Sequence, residues 1–188
     1  VYNLPRASKV MLDDRLLAKA ATTHLLGQGC GRIVHFTGPL NMQVAKNRLA
    51  GYRDAIEEHG ASVQENLIVE SGINYEDGYE ATHKVLSEMS PLPDAIFCFN
   101  DNLAIGAMKA LKEAGKRIPD DIAVVGFSET DMSTVVEPPL TTVAQPRYRM
   151  GVEAAKIMIE QIHTLGRSLP TSLTLDAELH VRASSSKI

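Results

Sequence analysis

Three carboxylates, Asp101, Glu129 and Asp131, follow short apolar runs in this chain of 188 residues. An acid or a base of a hydrolytic site would stand at such places. Chemistry by a carboxylate needs a second group, a nucleophile or a proton carrier, converging on the same point. None of the three comes with a histidine or a cysteine in those segments. The six histidines are dispersed. Of these, His24, His59, His83 and His163 fall on stretches of helical spacing and read as solvated or packing residues. The chain has no GxSxG, no HExxH and no GxxxxGK[ST]. Gly27-Gln28-Gly29-Cys30-Gly31 is rich in glycine, but it follows a helical run and precedes a strand. A phosphate loop has the reverse order, so this one reads as a helix C-cap and turn. Cys30 and Cys98 form no CxxC pair and no metal or disulfide framework. Cys98, inside Ala95-Ile96-Phe97-Cys98-Phe99, reads as a small buried hydrophobe, in keeping with a reducing cytoplasm. The residues therefore point away from an enzyme and from a resident metal or cofactor, and toward a protein that binds.

The elements that would position such residues alternate along the chain. Helical spacing covers about 16–26, 44–59, 79–89, 103–111 and 150–165. Short β-branched or apolar runs lie between them, at 32–37, 67–69, 95–99 and 122–125, with two further pieces at 173–175 and 179–181. Strands that are apolar throughout, separated by helices, imply an α/β fold: a doubly wound, mostly parallel sheet with helices on both faces. Ligands of such sheets bind beyond the carboxyl ends of the strands. That rule selects the segments after Thr37, Val69, Phe99 and Gly126. The run 140–143, bracketed by Pro138-Pro139 and Gln145-Pro146, reads as a stiffened crossing segment.

Composition narrows the partners. The formal net charge is −4 and no Lys/Arg stripe is present. A surface that held DNA by itself would be basic, so any DNA-binding element is expected outside this chain. No apolar run reaches membrane-spanning length. The chain begins in mid-pattern at Val1, without an initiator methionine.

Several phrases, in one order, resemble the lactose/galactose-repressor family of bacterial transcription regulators. They are Gly38-Pro39 with Arg48-Leu49-Ala50-Gly51-Tyr52, Tyr75 with Gly78-Tyr79, and Pro93-Asp94 through Asn100-Asp101 into Ala104-Ile105-Gly106-Ala107-Met108. Ile118-Pro119-Asp120-Asp121 through Gly126-Phe127, Pro138-Pro139-Leu140-Thr141-Thr142-Val143 with Gln145-Pro146, and Met150-Gly151 follow. The resemblance implies the effector domain of a repressor, with a periplasmic sugar-binding-protein-like fold of two subdomains and no DNA-binding head. It assigns 13–145 and 173–188 to a complete second subdomain. Residues 1–12 and 146–172 would be remnants of the first.

The same resemblance implies a small polar effector, a sugar or sugar derivative, in the cleft between subdomains. Arg48 matches the arginine that reaches the effector, and its fork can hold two hydroxyls or a carboxylate. As a residue of an open cleft wall it would contribute little to the core. Asn100 matches a ligand residue, with Asp101 as the helix cap beside it. Gln145 matches a glutamine at the subdomain crossing. Ser128 stands where the family usually has an aspartate, and the missing charge admits an anionic ligand. Ile73 replaces a common stacking aromatic, and Met42 lines the loop after Gly38 without a strong polar group. A homodimer is also implied, with Asn74 to Tyr79, Ile105, Met108, Val135 and Val136 at its interface, and contact with operator DNA only through a helix-turn-helix absent from this chain. The alternative is a periplasmic sugar-binding protein of a transport system. The lack of tryptophan removes that class's usual sugar-stacking residue.

Overall fold

Apolar strands of two to six residues, each followed by a helix with one apolar face, assemble here into a six-stranded sheet covered on both sides. The structure, a computed structural model, describes residues 7–165 and 169–187. The segments 1–12 and 146–172 thus fall partly outside the described residues. In chain order the elements are β1 (Lys9–Leu12), α1 (Asp14–Gly27), β2 (Ile33–Phe36), α2 (Gln43–Glu58), β3 (Ile68–Val69), α3 (Tyr75–Glu88) and β4 (Ala95–Cys98). They continue as α4 (Asp101–Glu113), β5 (Ala123–Ser128), α5 (Met132–Val135), β6 (Thr141–Ala144), α6 (Arg147–His163), β7 (Ser172–Leu175) and β8 (Glu178–His180).

The main sheet has the order β3-β2-β4-β5-β6-β8, parallel throughout except for the antiparallel β6–β8 pair. Strands β2, β4 and most of β5 are buried on both faces. Alternate residues therefore serve two cores. On one face Ile33, Phe97, Val125 and Phe127 pack with Leu17, Ala21 and Leu25 of α1 and Tyr52 and Ile56 of α2. On the other, Val34, Phe36, Ile96 and Val124 pack with Val85 of α3 and Leu103, Ala107 and Leu111 of α4. The chain leaves β2 for β3 on one side and returns to β4 on the other, so the strand order reverses between β2 and β4. The carboxyl side of that switch point is where doubly wound sheets form their crevice.

One reading of the sequence needs correction, and one strand was not foreseen. The run 140–143 is not a crossing segment. Thr141 to Ala144 form strand β6, paired in parallel with β5, and Leu140 through Val143 are buried. The proline pairs lie outside the ladder, where they cost it no hydrogen bond. In addition, Lys9–Leu12 is a strand, paired in parallel with β7 in a separate two-stranded sheet. Helix α6 lies beside β1, has no buried residue, and leaves Met158, Ile159 and Ile162 exposed.

Candidate functional site

Strands β2, β4, β5 and β6 end on one edge, and their following residues build a single wall. After β2, Gly38 adopts φ +66°, and a Cβ there would lie 2.9 Å from the Phe99 ring. Only glycine lets this loop close on Phe99. Met42 then starts α2 as its half-exposed N-cap, with no side-chain bond of its own.

Arg48, on α2, is buried with 5% of its surface exposed. This corrects the expectation of an open cleft arginine. Its Nε and Nη2 donate to Oδ1 of Asp14 at 2.9 and 2.7 Å, and Nη1 donates to the Phe99 carbonyl at 2.5 Å. The guanidinium also lies over the Phe127 ring at 3.6 Å and the Phe99 ring at 4.6 Å. Burial pushes the Arg48 pKa down, and the Asp14 carboxylate opposes that shift. Asp14 enters from the first turn of α1, where Asp13 is the N-cap that accepts from the Leu16 amide.

Asn100, not Asp101, does the capping expected of Asp101. Asn100 is the N-cap of α4: its Oδ1 accepts from the Leu103 amide at 2.9 Å, and its Nδ2 donates to the Ile73 carbonyl at 2.8 Å. Ile73 is thereby tied to the wall, with 38% of its surface exposed. Asp101 is fully buried and accepts three hydrogen bonds. The donors are the Thr130 amide at 2.8 Å and the hydroxyls of Ser133 and Thr142, both at 2.5 Å. A buried carboxylate is tolerated when its oxygens are filled in this way. The effect is to pin the loop after β5 to the start of α4.

That loop is bent sharply. Ser128 and Glu129 have φ values of 128° and 54°, conformations that cost non-glycine residues energy and tend to occur at functional sites. Ser128 is half-buried and pairs in register with Ala144, one residue before Gln145. Glu129 accepts from His180 at 2.6 Å and from Arg182. Burial alone would raise its carboxyl, but these two donors outweigh burial and hold it below the usual range. A hollow of about 480 Å³ lies beside it, lined by Glu129, Gln145, Arg149, Asp176 and His180 among others.

Arg48, Asn100, Ser128, Gln145, Ile73 and Met42 therefore all lie at the carboxyl edge of the sheet. Sequence reasoning missed Asp14, and it named Glu129 without its partners Arg182 and His180. The adjacent Asp13-Asp14 pair was a signal: one aspartate caps the helix, and the other has no local task. Of the residues expected at a dimer interface, Val135 is 71% exposed, while Met108 is buried in its own core. Ile105 and Val136 are partly buried against that core. Asn74 is exposed, and its amide donates to Asp77 at the start of α3. Tyr79 is half-exposed and donates to Glu113 of α4 at 2.6 Å.

Comparison with known proteins accounts for this arrangement. Residues 22–185 match the periplasmic binding protein-like domain family. The HTH-type transcriptional repressor PurR of Haemophilus influenzae is 36% identical over 160 residues, covering 84% of this chain and 47% of that protein. The solved complex of the transcriptional regulator CelR with cellobiose superposes with a TM-score of 0.90 at 33% identity, over 96% of this chain and 54% of that one. A putative LacI-family regulator from Sanguibacter keddieii superposes at 0.91 with 32% identity, over 98% of this chain and 70% of its own. The chain spans about half the length of the curated relatives it matches. It belongs to the family of periplasmic-binding-protein-like domains carried by LacI-type transcription regulators.

Proposed function

We propose that this chain is the ligand-sensing part of a DNA-binding transcription repressor. A small polar effector, a sugar or sugar derivative, binds against the carboxyl edge of the main sheet and alters operator affinity. The observation that carries this reading is the wall at the β2/β4 switch point. There a buried arginine, a capping asparagine and a strained serine turn converge. Such concave walls, with a few placed polar groups, are built for binding. The cellobiose complex of the similar CelR supports a sugar-class effector.

The second wall of the cleft would come from the first subdomain, to which β1 and α6 belong in this reading, together with β7, whose pairing with β1 moves the boundary expected after residue 172 to after Leu175. The exposed Met158, Ile159 and Ile162 of α6 are the surface that its remaining elements would cover. DNA contact lies in a head outside the chain, and the intact protein acts in the cytoplasm as a homodimer whose two-fold axis matches a near-palindromic operator.

The test uses the intact protein and labelled DNA from upstream of its own gene. Fluorescence anisotropy is followed with and without a panel of sugars, nucleosides and purine bases. At least one compound is expected to shift the operator Kd by about fivefold or more, the usual range of allosteric coupling. Operator affinity that no compound alters, or no DNA binding at all, would contradict the reading.

A further inference from the structure

Arg48 has five N–H donors in its fork. Three are occupied: Nε and Nη2 on Asp14 Oδ1, and Nη1 on the Phe99 carbonyl. Both bonds from Arg48 to Asp14 fall on the same carboxylate oxygen. Oδ2 of Asp14 accepts none among the described residues, although the Asp14 side chain is only 12% exposed. That oxygen is not one of the fully buried atoms, so an incoming hydroxyl can reach it. The pair therefore presents two unused N–H groups and one unused acceptor.

The charges that act on Arg48 are already matched. Arg48 and Asp14 neutralise each other, and the Asp101 carboxylate acts on Arg48 as well. Glu129 is held by Arg182 and His180. Ser128 contributes no charge. Arg147 is exposed and donates to the Glu129 carbonyl. An anion entering here would meet Asp14 beside an arginine whose charge is already answered, and like charges at a desolvated wall are costly. A hydroxyl suits the pair better, because it donates and accepts at once.

From this we infer that Asp14 is a specificity-determining residue of the cleft, supplying through Oδ2 the carboxylate acceptor that position 128 lacks, and that the effector is a neutral polyhydroxyl compound rather than an anion. The inference rests on the sensing role proposed above. It replaces the expectation that Ser128 opens the site to anionic ligands.

The test is isothermal titration of the intact protein with matched probes: ribose against ribose 5-phosphate, glucose against gluconate, and adenosine against its 5′-monophosphate. The wild-type protein is expected to bind a neutral probe at least about tenfold more tightly than its anionic counterpart. Asp14→Asn keeps the shape but removes the charge-assisted acceptor, and should weaken neutral binding by about tenfold or more. It should also narrow the gap to the anion, since Arg48 is then uncompensated. A melt followed by circular dichroism checks that the variant folds. If it does not, the wild-type preference decides alone. A wild-type preference for the anion, or neutral binding unchanged in a folded Asp14→Asn protein, would overturn the inference and leave the sensing role standing. Binding of no probe of either kind would count against both.

Discussion

Asp101 shows how one side chain can hold a wall together. Its three donors come from the loop after β5, from α5 and from β6, so its removal strands a backbone amide and two hydroxyls in the interior. Each unmet buried group costs about 1–3 kcal/mol. Asp101→Ala should therefore destabilise the protein by about 3 kcal/mol or more, read as a lower urea midpoint with an unchanged slope. A loss below about 1 kcal/mol would mean the loop is anchored elsewhere. His35 gives a prediction of a different kind. It is fully buried, stacks between Tyr52 and Phe97, and donates from Nδ1 to the Phe97 carbonyl. Its Nε2 has no partner. Burial pushes its pKa down to about 4. The unfolded chain takes up the proton near pH 6.5, so the stability His35 confers as a neutral ring is complete above that pH. It is lost as the pH falls toward 4. The loss between pH 7 and pH 4 is about 3 kcal/mol. Urea unfolding at both pH values should show His35→Phe losing less stability than wild type by that amount. Equal losses would place the acid sensitivity in other groups. At this scale the sequence was only partly legible. Asn100, Arg48 and Ser128 could be placed at the sheet edge from their position after strands. Which of Asn100 and Asp101 caps the helix depended on partners 30 to 40 residues away, which local spacing does not encode.

Packing of helix on helix, on each face of the sheet, follows from small residues at crossing points. Gly106 of α4 faces α3 so closely that a Cβ would sit 2.9 Å from the Tyr79 amide and closer still to the Tyr75 carbonyl. Gly51 of α2 meets α1 in the same way, with Ala18 Cβ 3.0 Å from the site of its missing side chain. Backbone contacts cannot give way as side-chain tips can. Gly106→Ala should push α4 off α3 and cost about 2 kcal/mol or more, despite alanine's better helix propensity. A thermal melt shifted downward by several degrees is the expected reading. An unchanged or higher melting temperature would show that the two helices can part freely. The alternation of strands and helices was readable because each buried strand is continuously apolar and each helix keeps one stripe. Strand β6 escaped because the prolines that bracket it make a short apolar run look like a stiffened crossing. Its hydroxyls are satisfied inside, Thr142 by Asp101 and Thr141 through Arg182 and Ser185. Strand β1 escaped because its partner β7 lies more than 150 residues away in sequence.

At the scale of the molecule, two of the apolar surfaces among the described residues bear on assembly. One is the exposed face of α6, which in the proposed reading packs against further elements of the first subdomain. The other is on α5, where Met132 and Val135 are 50% and 71% exposed; Ile105 of α4 is partly buried. The proposed homodimer would use this second surface, but not Met108, which is committed to its own core. Replacing Ile105 and Val135 together with Asp is expected to yield monomers of the intact protein in sedimentation velocity. Dimers that persist would move the interface elsewhere. The central claim is that ligand binds at the carboxyl edge of the main sheet, and hydrogen exchange of the intact protein tests it most directly. With a compound that shifts operator affinity bound, amides in residues 37–42, 99–103, 128–133 and 144–147 should gain protection together. The groove between β3 and α3, lined by Asn66, Val69, Lys84 and Met89, should not change. Protection confined to that groove, with the four edge segments unaltered, would contradict the account.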